Sequence, residues 1–354
     1  MITIEKGAKV MLPKEYHFAN NICAHLYDHI TEILTDSYYS EMHSTAIVFG
    51  EDEELKKRFN DKKEHALDIL KSSNRNDELE IVLTKHIVMS IISDMVNFIY
   101  ESIIIAQKGK MSVAFSLVRK PFTDQLLILE QILVDRKDFI NRFFHQGNPE
   151  NYDPSSNKMN KKEIIKNALS KLRLSVFDPE LIFELRYDKS KEMGINWISN
   201  HALHVVTNDK NYKTKDQNLN FVFSGQKEMK TYWDHYFLTI PILLTYTASV
   251  VDKIIFEIVK NKDDRRELKH LQRFIGFTLV VDDRNKSKFL ISSFQALSKM
   301  LITECPICKN KNKFKKEDFK LFFYEQLFLC SKCFNSINLS ADSIISLSNI
   351  FDKG

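Results

Sequence analysis

Residues 77–107 read DELEIVLTKHIVMSIISDMVNFIYESIIIAQ, thirty-one positions with no glycine and no proline. Strands usually run about 3–10 residues, so this run is too long to be one. Its many Ile and Val residues lower helix propensity without forbidding a helix. One long helix is the remaining solution, and it sets the expected fold class: mainly α, a helical bundle.

The neighbouring segments agree. Leu12–Tyr38 places Phe18, Ile22, Leu26, Ile30 and Ile33/Leu34 at steps of three and four, one face of an amphipathic helix. Glu51–Lys71 carries a thin stripe of Leu55, Phe59, Leu67 and Leu70. Gly109 ends the long run, and Met111–Val134 resumes the pattern around Pro121. A proline there either kinks one helix or separates two abutting ones. Gln146–Lys158 (QGNPENYDPSSNK) is the clearest loop and could divide the bundle near 146–160. Shorter helices are expected at Lys161–Leu174, Pro179–Tyr187 and Met193–Val206. Asn208–Asn218 is polar and expected to be mobile, and Asn220–Ser224 (NFVFS) reads as a short strand. Gln226–Lys260 reads as a long helix kinked near Pro241, followed by helices at Glu267–Val281 and Lys286–Ile302. The expected organisation is a helical domain over 1–300, a small β module over 301–340 and a helical tail over 341–354.

Composition bounds the function classes. Among 354 residues there are only 8 Gly and 7 Pro, too few turn residues for an all-β chain. Hydrophobic residues at 44% and charged residues at 28% exclude a disordered chain. A net charge of +4 and a pI near 8.5 are compatible with nucleic acid but are not those of a polycationic arm. Basic residues cluster at Lys158, Lys161, Lys162, Lys166, Lys171 and Arg173, and again at Lys309, Lys311, Lys313, Lys315 and Lys316. Each run is either a solvated face or a phosphate-contacting surface. No signal-peptide pattern opens the chain. The longest uncharged stretch, Tyr236–Val251, falls short of the roughly 20 residues of a bilayer span, so a buried core helix and no membrane role are expected. A reducing cytoplasm fits the cysteine usage.

Four of the five cysteines stand in two CxxC turns, ECPICK at 304–309 and LCSKCF at 329–334. Each turn aims two thiolates at one centre, and together they supply the four sulfurs of a tetrahedral Zn²⁺ site. Cys305, Cys308, Cys330 and Cys333 are therefore expected to hold a structural zinc ion in a zinc ribbon, with no coordination position left for water. Four thiolates would also suit an iron–sulfur centre; disulfides would need an oxidising compartment. The apolar stretch Phe319–Leu329 is expected to supply one arm of a β-hairpin bearing the second turn. Cys23, alone at helical spacing, reads as core.

Phosphate-cradling and common hydrolase motifs are absent: no GxxxxGK[ST], GxGxxG, HExxH or GxSxG occurs. Most histidines, including His25, His29, His65 and His86, read as structural. WISNHALH at 197–204 differs. On a helix Asn200 and His204 would share a face, with His201 beside His204, an arrangement able to hold a phosphate or a 2′-hydroxyl. A polar patch inside a bundle is the plainer reading.

This segment resembles the motif of the HEPN superfamily, all-helical domains many of which are ribonucleases in bacterial defence and toxin systems. Asn200 and His204 match the family's polar residue and histidine, while Ser199 stands where the family has arginine. Lys110–Ile132 is similar to a helix of some HEPN-like families, with Ala114, Arg119 and Asp124 at the matching positions. The resemblance covers about 35 residues. It implies metal-independent RNA cleavage to 2′,3′-cyclic ends, with His204 as acid/base, Asn200 positioning the substrate, and Arg119 with Asp124 supporting the site. It also implies a homodimer. The missing arginine calls for another cation, such as Arg119 or Arg186, or for an inactive binding relative. The competing expectation is a non-catalytic scaffold whose ribbon docks a protein or DNA.

Overall fold

The computed structural model describes residues 2–172, 177–192, 194–259, 264–285, 298–299, 301–340, 343–345 and 347. The expected fold class is the observed one: helices throughout, with two-stranded sheets only near the C-terminus. The helices are α1 (His17–Thr35), α2 (Ser40–His43), α3 (Glu53–Asp61), α4 (Ala66–Ser72) and α5 (Asn76–Gln107). They continue with α6 (Met111–Lys120), α7 (Leu126–Val134), α8 (Arg136–Ile140), α9 (Lys161–Lys171) and α10 (Pro179–Tyr187). The rest are α11 (Ile195–Leu203), α12 (Gln226–Ile258), α13 (Asp264–Asn285) and α14 (Lys316–Glu325). The expected helix at Lys286–Ile302 and the expected helical tail fall almost entirely outside the described residues.

The long run that decided the fold class is α5. Leu79, Leu83, Ile92, Met95, Ile99 and Ile103 are buried, while His86, Ser90, Ser93, Asn97 and Glu101 are exposed. It packs on α1 and α6, and α12 packs on α1, α7 and α13. Helices α5 and α12 are both long and apolar enough to cross a membrane; 83% of the most apolar stretch of α12 is buried in this chain, against 44% for α5. Tyr236–Val251 is thus a core segment. Trp233 Nε1 donates to the Ala106 carbonyl at 2.9 Å, and Tyr236 Oη meets Ser102 Oγ at 2.7 Å, which fixes α12 against α5.

The two helix-interior prolines resolve differently. Helix α12 continues through Pro241. At Pro121 the ladder widens into a π-type turn over Pro121–Gln125, because proline lacks the donor and its ring crowds the preceding turn. Helix α10 secures that turn: Arg186 Nε donates to the Phe122 carbonyl and Tyr187 Oη to the Thr123 carbonyl, both at 2.6 Å. Arg186 also forks onto Glu130 at 2.5 and 2.9 Å, and Tyr246 Oη donates to the same carboxylate at 2.5 Å. Asp178, whose carboxylate accepts from Glu180 N, caps α10 with Pro179 at its first position.

Two expectations need correcting. Asn220–Ser224 forms turns instead of a strand. Most of Phe319–Leu329 is helical: Phe319, Phe322 and Phe323 sit at helical spacing and are buried together, leaving only Phe328–Leu329 as strand. The ribbon's sheets are β1 (Ile302–Glu304) with β2 (Lys311–Lys313), and β3 (Phe328–Leu329) with β4 (Ser336–Ile337), both antiparallel. The module is not detached from the bundle. The Phe323 carbonyl accepts from Gln272 Nε2 on α13 at 3.1 Å, and the Phe323 ring lies 5.1 Å from the His25 ring on α1.

Candidate metal centre and a cationic cavity

Each CxxC turn closes in the same way. Cys305 N donates to Asn310 O and Lys309 N to Cys305 O; Cys330 N donates to Asn335 O and Phe334 N to Cys330 O. The residue after each second cysteine, Lys309 or Phe334, takes a left-handed φ of 60° or 59°. Asn312 joins the turns, its Oδ1 accepting from Ser331 N and Ser331 Oγ at 2.9 Å.

The four sulfurs all lie within 4.8 Å of one another. Cys305 and Cys333 are 3.5 Å apart, and Cys308 and Cys330 are 3.6 Å apart. A tetrahedron with metal–sulfur bonds of about 2.3 Å has edges of about 3.8 Å, so the spacing suits a metal ion and is far too long for disulfides. Donors from Asn335 hold the Cys333 thiol below its usual range, and Lys332 N points at Cys330 Sγ at 3.4 Å. These donors favour thiolates, the form that binds metal. Cys305 and Cys330 are buried and Cys308 and Cys333 half-buried, so the centre is closed.

The other expected site residues are dispersed. Helix α11 ends at Leu203, and His204 caps it in an extended conformation, so Asn200 and His204 do not share a helical face. His204 is exposed, and its carbonyl accepts from Asn220 Nδ2 at 2.8 Å. The Asn200 carboxamide is occupied by Asn196, donating to its carbonyl at 2.7 Å and its Oδ1 at 2.9 Å. Asp124 is exposed on the π turn and accepts from Thr123 Oγ1. Arg186 cannot substitute for the missing arginine: it is fully buried and committed to Glu130. Burial pulls its pKa down, and the Glu130 carboxylate, helped by Tyr187, more than reverses this.

Several sequence features are structural. Cys23 is core. His65 caps α4, accepting from Leu67 N at 3.3 Å. Much of the 158–173 basic run is used internally. Lys162 pairs with Glu180 at 2.6 Å, Lys161 lies over the Tyr187 ring, and Lys171 Nζ donates to the Leu133 and Val134 carbonyls.

What the sequence did not predict is a cavity of about 730 Å³ between α11, the first turns of α12 and the 208–224 segment. That segment is tied at its neck, where Thr214 N donates to Thr207 O, Thr207 N to Thr214 Oγ1, and Asn220 N to Val205 O. Lys210, Lys213, Lys215 and Lys227 line the cavity against Glu192 and Glu228, alongside the rings of Trp197, Tyr212, Phe221, Phe223 and Tyr232. Phe221 stacks on Tyr232 at 4.4 Å, and Phe223 is 67% exposed.

His201 and His235 also face this space. The Trp197 carbonyl lies 3.1 Å from His201 Nδ1 and accepts its proton, leaving Nε2 as the free lone pair of the neutral ring. Burial pushes the His235 pKa down, and its Nδ1 has no hydrogen-bond partner. Burial and the Asp209 carboxylate push the Tyr212 phenol up, and the Arg119 charge opposes them. None of Asn200, His204, Arg119 or Asp124 lines the cavity itself. The signal in the sequence was KNYKTK at 210–215, lysines interleaved with an aromatic ring, inside a segment read as a polar loop.

No family model, curated protein sequence or solved structure matches this chain.

Proposed function

We propose that this chain is an RNA-directed protein that takes single-stranded RNA into the cavity beside α11, with a zinc-held ribbon as its structural tail. The observation that carries this reading is the lining of that cavity. Four lysines supply phosphate contacts, and five aromatic rings supply faces on which unpaired bases stack. A 730 Å³ space is that of a ligand site and is larger than a packing defect. Zinc is the metal that four thiolates in a closed tetrahedral set favour.

If the bound strand is cleaved, the acid/base role that the HEPN-like resemblance implied for His204 falls to His201. Its Nδ1 is held by the Trp197 carbonyl at 3.1 Å, and its ring lines the cavity. Cleavage without a catalytic metal, a homodimer and a place in bacterial defence or stress rest on the HEPN-like resemblance alone.

Fluorescence anisotropy with a labelled single-stranded RNA, titrated over salt, tests the binding. The slope of log affinity against log salt is about −0.7 per phosphate neutralised on single strands. Replacing Lys210, Lys213 and Lys215 together by Gln is expected to reduce it by about 2. No RNA binding, or a slope unchanged in that variant, refutes the reading. A second reading, a ribbon that docks a protein, draws on the exposed Ile307 (68%) and Phe334 (74%) beside the metal turns. It predicts binding of little salt sensitivity that is lost in Cys330→Ser.

A further inference from the structure

We propose that the cleft between the C-terminal half of α12 and α13 binds a phosphate group through Arg273 and Arg266. This site stands apart from the RNA reading. On α12 its lining begins at Ser249, whereas the cationic cavity reaches α12 no further than His235. At about 1.5 Å per residue these positions are about 20 Å apart along the helix.

Arg273 is only 2% exposed, and its Nε and Nη2 are buried without a hydrogen-bond acceptor. Asp252 Oδ2 lies 3.3 Å from Nη2 but is not aligned to accept from it. The same carboxylate oxygen serves Arg266 Nε at 3.4 Å, so one anion is shared between two guanidinium groups. Donors of a buried cation that lack an acceptor are costly, and the guanidinium fork fits two oxygens of a phosphate.

The cleft holds about 110 Å³. That is room for about four waters, enough for a phosphate group and too little for a nucleoside. Arg266 is held in place over the Phe256 ring at 4.6 Å. Lys253 and His270 add basic groups to the lining, and Asp252 and Glu267 oppose an incoming anion. Lys253 is itself partnered by Glu257 at 3.6 Å. A phosphate seated in the cleft would meet the Arg273 guanidinium at its outer edge, Nη1, and would add counter-charge where Asp252 alone serves two guanidinium groups.

Calorimetric titration of the full chain with inorganic phosphate tests this, with sulfate as competitor. A parallel titration uses a short oligonucleotide with and without a 5′-phosphate. Saturable one-to-one binding is expected, weakened about tenfold or more in Arg266→Gln, a difference of about 1.4 kcal/mol. Arg273→Met should abolish it, and Lys210→Gln, in the other cavity, should leave it unchanged. If Arg273→Met does not fold by circular dichroism, Arg266→Gln decides alone. Sulfate-sensitive binding of inorganic phosphate identifies the free ion as a ligand. Tighter binding of the 5′-phosphorylated oligonucleotide than of the unphosphorylated one, with the difference lost in Arg266→Gln, identifies a terminal phosphate. Absence of both, or affinity unchanged in Arg266→Gln, overturns the proposal. Loss of RNA binding in the lysine variant with phosphate binding intact would separate the two sites.

Discussion

Replacing Glu130 by Gln keeps the side chain's shape and removes its charge, which isolates what the buried ion pair contributes. Both partners are fully buried. The substitution leaves the Arg186 guanidinium in the core with no counter-charge and deprives Tyr246 Oη of a charged acceptor. Removing one member of a buried pair costs about 3–5 kcal/mol. Unfolding entropy near 2.1 cal/mol/K per residue gives about 0.7 kcal/mol/K for 354 residues, so a 4 kcal/mol loss lowers Tm by about 5 °C. Differential scanning calorimetry of wild type, Glu130→Gln, Arg186→Met and the Glu130→Gln/Arg186→Met double variant provides the cycle. The double variant should recover much of the loss, because it removes both charges from the core. A Glu130→Gln protein melting within about 1 °C of wild type would refute the reasoning. So would single effects that merely add in the double variant.

Three further outcomes follow. Metal analysis of purified protein should give one zinc per chain, and Cys330→Ser or a strong chelator should remove it and expose the 301–340 segment to proteolysis; a metal-free, protease-resistant wild type would contradict this. Gly276→Ala should cost about 1–3 kcal/mol by overpacking, offset by less than about 1 kcal/mol of helix propensity, because the new Cβ would lie 2.4 Å from Phe323 Cε2. Phe323→Leu should relieve that clash in urea melts. His29 is buried and its folded pKa lies well below its ordinary 6.5, so the unfolded chain takes up a proton that the folded chain refuses. Stability is therefore fully present above that pH and falls as the pH drops below it, a dependence that His29→Gln should flatten in urea melts.

The fold class was legible because long periodic segments leave little choice. Helix α10 occupies Pro179–Tyr187, as Asp178 and Pro179 mark it, and α5 differs from its expected range by one residue. Local conformation that depends on tertiary partners was harder to read. The widened turn at Pro121 needs the Arg186 and Tyr187 donors from a helix about 60 positions away. The aromatic stretch after Lys316 looks like a strand by composition, yet its burial follows a helical period. The four cysteines were readable because metal geometry is imposed by spacing. The cavity was not, because its lysines gain meaning only where the 208–224 segment folds back over α11 and α12. Asn200 and His204 were paired on the premise that the helix extends through 206; it stops at Leu203, and His201, inside the helix, is the one that lines the cavity.

Because Phe323 sits against Gly276 and His25, the tail and the bundle share one hydrophobic seam. Any ion that grips only the ordered tail is then thermodynamically linked to the α1–α13 contact as well. At free metal a hundredfold above its dissociation constant, that linkage is about 2.7 kcal/mol. The supply of metal would thus set the rigidity of helices that carry no thiol at that contact.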